Sequence, residues 1–183
     1  AVVCNDDCTL DMSACSDTMM YCNTPGATID GTATLDAPLL DAITVADDFF
    51  VTDINVPVDI SHTWAQDLVV GLVASDGATL EVLFNQDCFS GPSGDGPDDI
   101  DATYDAQGME VVCGDGPAVS GDVLPFGDFN DFLGAPSMGG WALLVADNFP
   151  SEDDGVLNEW CVELTVSADD PAMCGDDVAY FSE

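Results

Sequence analysis

The sequence predicts an all-β protein folded as an antiparallel sandwich, with a disulfide-rich appendage at its N-terminus. Three observations lead there. Apolar and polar residues alternate over VTDINVPVDI (51–60), the period of a strand with one face buried. Further β-rich runs follow at DLVVGLVAS, ATLEVLF, GGWALLVAD and LNEWCVELTV, separated by clusters of Gly, Pro and Asp. Between Ile43 and Val166 no stretch shows the 3.6-residue period and end caps of a long amphipathic helix.

The charge pattern narrows the partners. The chain has 183 residues, no Lys or Arg, 30 Asp, 6 Glu and one His, for a formal net charge of −36. Without a cationic side chain there is nothing to neutralise phosphates, so nucleic acid is excluded as a partner, and an anionic membrane surface is disfavoured on the same ground. A hydrophobic content of 47% argues against disorder, the other common reading of an acidic chain. The length suits one domain with a small appendage.

Eight cysteines stand at Cys4, Cys8, Cys15, Cys22, Cys88, Cys113, Cys161 and Cys174. With a single His and no C-x-x-C pair, a zinc site lacks its usual ligand spacing. Four disulfides formed in an oxidising compartment account for the even count. No apolar run approaches the roughly 20 residues of a membrane span. The opening AVVC reads as a mature terminus left by cleavage, so the expected location is secreted, extracellular or on the cell surface.

Along the chain, residues 1–41 hold four of the cysteines at short spacing and then a Gly/Thr/Ala-rich run. This segment is too small for its own core and is expected to be a stapled loop or short helical turn. Residues 42–166 carry the strands of the sandwich, with a Ser75-Asp76-Gly77 turn between two of them. Two acidic loops interrupt it, one at 89–112 between Cys88 and Cys113, the other at 147–155. Residues 167–183 form a tail that ends in the apolar VAYF.

The run DINVPVDISHTWAQDLVVGLVASDGATLEVLF resembles the first half of the P domain (P/homo B domain) of subtilisin-like proprotein convertases and secreted bacterial proteases. An alternating strand leads to SHT, then Asp-Leu opens the next strand, and a Gly turn precedes another. GGWALLVAD, an acidic loop and GVLNEWCVELTV match the second half, so the resemblance covers about 43–166. Asp76 departs from it, standing where the family often has Pro, as does the cysteine bracket around the acidic loop. The resemblance implies a jelly-roll-like sandwich that follows and stabilises a catalytic domain, with calcium bound in some members. The protease domain itself is absent from this sequence.

The residues offer no catalytic constellation. The only imidazole, His62, falls on the SHT of the sandwich motif, and no G-x-S-x-G elbow occurs. A structural histidine at a strand end is the expectation, and the chain reads as non-enzymatic. Trp141 and Trp160 sit on family motifs and are expected in the core, so the three tryptophans, with Trp64, argue little for carbohydrate stacking. Met19, Met20 and Tyr21 are expected to pack under the disulfides.

Clustered carboxylates repel unless a hard cation lies among them, and calcium takes 6–8 oxygen ligands. The first acidic loop offers Asp95, Asp98, Asp99, Asp101 and Asp105. The second offers Asp147, Asn148, Glu152, Asp153 and Asp154, and loops gather at the ends of a sandwich, where Asp67 also falls. Calcium at these carboxylates is the expected cofactor, against the plainer reading of a solvated acidic surface. Of 105 connectivities, Cys88–Cys113 is the pairing expected.

Three functions compete. The leading one is a structural subunit of an extracellular homopolymer, a fibre or surface layer, in which AVV or VAYF adds a strand to a neighbouring copy. The absence of every Lys and Arg, and with them every trypsin-like cleavage site, suits such a persistent structure. The alternatives are an accessory P domain of a secreted subtilisin-like protease and an adhesion or carbohydrate-binding module.

Overall fold

Twelve strands follow one another in the computed structural model, which describes residues 3–4, 10–11, 16–88, 97–149 and 154–167. β1 (Val3–Cys4) and β2 (Leu10–Asp11) pair only with each other. β3 (Ser16–Asn23), β4 (Ala27–Ile29), β6 (Phe50–His62), β9 (Ile100–Met109), β10 (Val119–Val123) and β12 (Gly155–Ser167) build the first sheet of the sandwich. Its order is β10-β9-β6-β12, and β3 and β4 share the far edge of β12. β5 (Leu39–Val45), β7 (Leu68–Val73), β8 (Leu80–Asn85) and β11 (Gly139–Asp147) build the second sheet in the order β5-β11-β7-β8. Every pairing is antiparallel except β9 with β10, which is parallel.

The period-two pattern places the core. On β6, Ile54, Val56, Val58, Ile60 and His62 are buried, while the residues between them face outward. The step from Val51 to Ile54 is three rather than two. Thr165 of β12 pairs with Asp53 and Val166 with Val51, so Thr52 is an extra residue in a β-bulge that keeps both valine and isoleucine inside. A second bulge, at Asn158, turns that side chain to donate to Asp59 Oδ1 at 3.0 Å and Ser61 Oγ at 2.9 Å.

Trp141 and Trp160 are fully buried as expected, and each indole N–H has an acceptor, which a buried tryptophan requires. Trp141 Nε1 donates to the Ser137 carbonyl at 2.8 Å. Trp160 Nε1 donates to Asp41 Oδ2 at 2.6 Å, and Asn23 Nδ2 donates to the same oxygen at 2.8 Å. Asp41 thereby ties β5 of the second sheet to β3 and β12 of the first.

The structure departs from the sequence reading in four places. The expected boundary between 41 and 42 falls inside β5, and DTMMYC is strand β3 rather than a loop or helical turn. Met19 and Tyr21 pack on the core, whereas Met20 is 54% exposed on the outer face. Cys22 stands directly opposite Cys161 in the register and is bonded to it. The first acidic loop ends at Asp99, because Ile100, Ala102 and Tyr104 alternate inward and make 100–109 a strand.

The two outer faces differ in charge. On the first sheet, Glu159, Asp59 and Asp101 stand directly opposite one another across β12, β6 and β9, and like charges so placed are destabilising. Asp101→Asn is expected to raise stability by about 0.5 kcal/mol in low salt, fading as salt screens the row, as read by urea unfolding. A loss of stability, appearing only with calcium present, would show instead that Asp101 holds the ion. On the second sheet, Ala42, Ala142, Val73 and Leu80 form one cross-strand row, and Leu40, Leu144, Gly71 and Val82 the next. A Cβ on Gly71 would lie 3.3 Å from Leu80 Cδ1, so the leucine covers the glycine.

Candidate functional site

One end of the sandwich gathers the imidazole and most of the expected carboxylates. His62 ends β6, Asp67 precedes β7 in a 3-10 turn (Ala65–Asp67), Asp99 precedes β9, Asp147 ends β11 and Gly155 opens β12. His62 and Asp147 come from opposite sheets and meet across the core end, Nε2 to Oδ2 at 3.8 Å, with both side chains 0% exposed. Asp147 Oδ1 accepts from the Phe149 amide at 2.7 Å.

The imidazole is held by backbone at Nδ1. Nδ1 lies 3.1 Å from the Trp64 amide and 3.0 Å from the Trp64 carbonyl. Nε2 faces Asp147 Oδ2 at 3.8 Å, beyond hydrogen-bond distance. A Ser-His-Asp relay needs one imidazole nitrogen for the acid and the other for a nucleophile; here the second is held by backbone, and the ring is closed from solvent. Gly155 is required beside it, since a Cβ there would lie 2.4 Å from His62 Cδ2 and 2.6 Å from the Ser61 carbonyl.

The backbone of the same end is fixed by acid side chains and turns. The His62 amide donates to Asp99 Oδ1 at 2.9 Å, and the Asp99 amide returns a bond to the His62 carbonyl at 3.0 Å. Asp99 adopts φ +63°, a left-handed conformation that Asp tolerates better than most residues. Asn148 N donates to the Asp67 carbonyl at 2.9 Å, joining the 147–149 segment to the 3-10 turn. Asp98, Asp99 and Asp154 line a cleft of about 250 Å³ beside His62.

Of the expected calcium ligands, the structure brings Asp67, Asp98, Asp99, Asp147 and Asp154 to this end. Asp101 and Asp105 are carried away along β9, Asp101 to the outer face of the sheet. Asp105 instead accepts from the Gln107 amide at 2.7 Å. Asp95 and Asp153 lie outside the described residues. Among the described residues, the one trio of Cys, His, Asp or Glu with ligand atoms all within 4.8 Å is Cys22, Glu159 and Cys161, and its sulfurs are spent in a disulfide.

Cys88 and Cys113 are bonded, as expected from their bracket around the first acidic loop. Burial pushes the carboxyl of the neighbouring Asp87 above the usual carboxylate range. Cys8, Cys15 and Cys174, and the side chain of Cys4, lie outside the described residues. Asp41 was not singled out in the sequence; an acid at an inward position of LLDAITV was the signal that marks it.

Fold and site together define a disulfide-bonded, two-sheet sandwich module whose single imidazole is a structural part of the sheet end. The family model of the proprotein convertase P-domain matches residues 51–164, and the chain belongs to that family. The crystal structure of the serine protease of Aeromonas sobria is similar in fold, with TM-score 0.51 and 19% identity over 82% of this chain. The structure of that protease with the chaperone ORF2 gives TM-score 0.52 and 19% identity over 83%. The chain spans 27% of the length of either protease chain. No curated protein matches the sequence.

Proposed function

We propose that this chain is a non-catalytic accessory module that packs against a subtilisin-like serine protease domain outside the cell and stabilises it. The observation that carries this reading is the P-domain match over 51–164 around a buried His62 whose Nδ1 is held by the Trp64 backbone. The similar structures belong to protease chains of which this sandwich matches only a part, which supports the accessory reading over a homopolymeric fibre. The VAYF segment on which the fibre reading leans lies outside the described residues, and Val3 of AVV pairs within its own chain with Asp11. Two disulfides support an oxidising compartment, and among the described residues no helix is long and apolar enough to cross a membrane. Purified protein is expected to turn over neither peptide nor ester substrates; turnover abolished by His62→Ala would overturn the non-catalytic part of the reading.

Calcium is proposed at the carboxylate end. The donors fit a hard cation in kind: all are oxygens, and Asp67 and Asp147 are buried in a chain without Lys or Arg. Among the described residues side chains alone do not close a cage there, so one or two of these carboxylates would hold the ion together with main-chain carbonyls and water. A ligand bound only by the folded state, at 100 times its Kd, adds about 2.7 kcal/mol. Melting is expected several degrees higher in millimolar calcium than in chelator; an unchanged Tm would leave the acids as surface charge.

A further inference from the structure

We propose that the outer face of the second sheet is a pairing surface on which two copies of this chain meet face to face, an interaction independent of the accessory role. The argument begins with strand chemistry. LVVGLV and GGWALLVAD are apolar at inward and outward positions alike, and strands of that kind are normally covered on both faces. Here the inner face packs in the core, while Leu40 and Leu80, at the two edges of the outer face, remain 60% and 49% exposed. Between them lie Ala42, Ala142, Val73, Leu144, Gly71 and Val82, an uncharged surface suited to sheet-on-sheet packing about 10 Å apart.

Charge segregation selects the occupant. The chain carries 36 carboxylic side chains and no Lys or Arg, yet the two cross-strand rows of this face contain no carboxylate. The opposite outer face carries the Glu159, Asp59 and Asp101 row. A basic partner would be drawn to that acidic face. Two copies of the chain can desolvate a contact only where neither brings carboxylates, since like charges at an interface cost several kcal/mol. A two-fold arrangement places the same uncharged patch on both sides and directs the acidic sheets away from each other. Four strands at about 4.8 Å and successive outward residues at about 6.8 Å make the rows the dry centre of such an interface.

The net charge sets how the pair responds to salt. At about 10 mM salt the screening length is about 30 Å, longer than the sandwich is thick, and at 1 M it is about 3 Å. Repulsion between the acidic bodies therefore opposes pairing in dilute buffer and is removed by salt. Sedimentation equilibrium of the intact, oxidised chain in 10 mM and in 1 M NaCl is the test. The expected result is a 19.0 kDa monomer in dilute buffer and a species of twice that mass in high salt, with an association constant higher by about tenfold or more. Leu40→Glu and Leu80→Glu, both at exposed positions, are expected to return the protein to monomer in 1 M NaCl. Met109→Glu, which adds the same charge at a residue 76% exposed at the end of β9, is expected to leave the dimer intact. Circular dichroism of each variant confirms that it folds.

A monomer at every salt concentration overturns the proposal and leaves the face to a partner such as a catalytic domain. Association that Met109→Glu abolishes as completely as Leu40→Glu overturns it in favour of general charge effects. Pairing that appears only after residues 168–183 are deleted overturns it in favour of the chain's own tail.

Discussion

Replacing Cys22 and Cys161 together by alanine is expected to lower stability by about 5 kcal/mol, the largest effect of any pair of substitutions at a bond described here. The bond joins residues 139 apart in sequence, and the chain-entropy cost of leaving such a loop open in the unfolded state grows with the logarithm of its length. β3 is an edge strand, held to β12 by its ladder and by this bond. The corresponding loss for Cys88 and Cys113, separated by 25, is about 3.5 kcal/mol. Urea unfolding of the two double variants, oxidised and at equal concentration, gives the comparison. A smaller loss for the Cys22–Cys161 pair than for Cys88–Cys113 would show that β3 is secured by its packing alone.

His62→Ala is expected to cost about 3–5 kcal/mol, because it leaves the buried Asp147 without its imidazole partner and opens a space against Gly155. His62→Gln keeps a donor and is expected to lose less. Asp147→Asn in the His62→Ala background removes the stranded charge and should recover part of the loss. The pair is then coupled by more than 1 kcal/mol in a double-mutant cycle, read from urea midpoints at constant m-value. Losses that simply add would place the role of His62 in packing rather than in its contact with Asp147.

How much of this was legible in the sequence depended on which face of each strand was buried. β6 alternates cleanly, and β7, β8, β11 and β12 are rich in branched and aromatic residues, so their runs stand out against turns of Gly and Asp. β9 was hidden because Ala102 marks an inward position as weakly as the surrounding Asp, Thr and Gly mark outward ones. β10 buries only Val119 and Val123 at its ends, with Gly121 at φ +79° between them. β3 was obscured by its cysteines, whose short spacing suggested a knot although Cys22 bonds a residue near the other end of the domain. His62 was placed correctly from its motif. Its partner was not, because β6 and β11 belong to different sheets and no sequence period reports contacts across a sandwich. Asp147 was read for its oxygen chemistry alone; beside the only imidazole in the chain it also has a structural task. The outward apolar rows of the second sheet were visible as unbroken hydrophobic runs, yet that pattern serves a strand covered by its own chain and one covered by another molecule alike.

The accessory role is tested most directly on native material. Purified from its source without denaturant, the protein is expected to carry a fluorophosphonate-reactive serine protease, in the same chain or in a stable complex. Separating the two, by limited proteolysis or mild denaturant, should shorten the half-life of the protease at elevated temperature by about tenfold or more. Native protein that purifies free of any reactive serine hydrolase, or a protease whose lifetime is indifferent to its removal, would contradict the account.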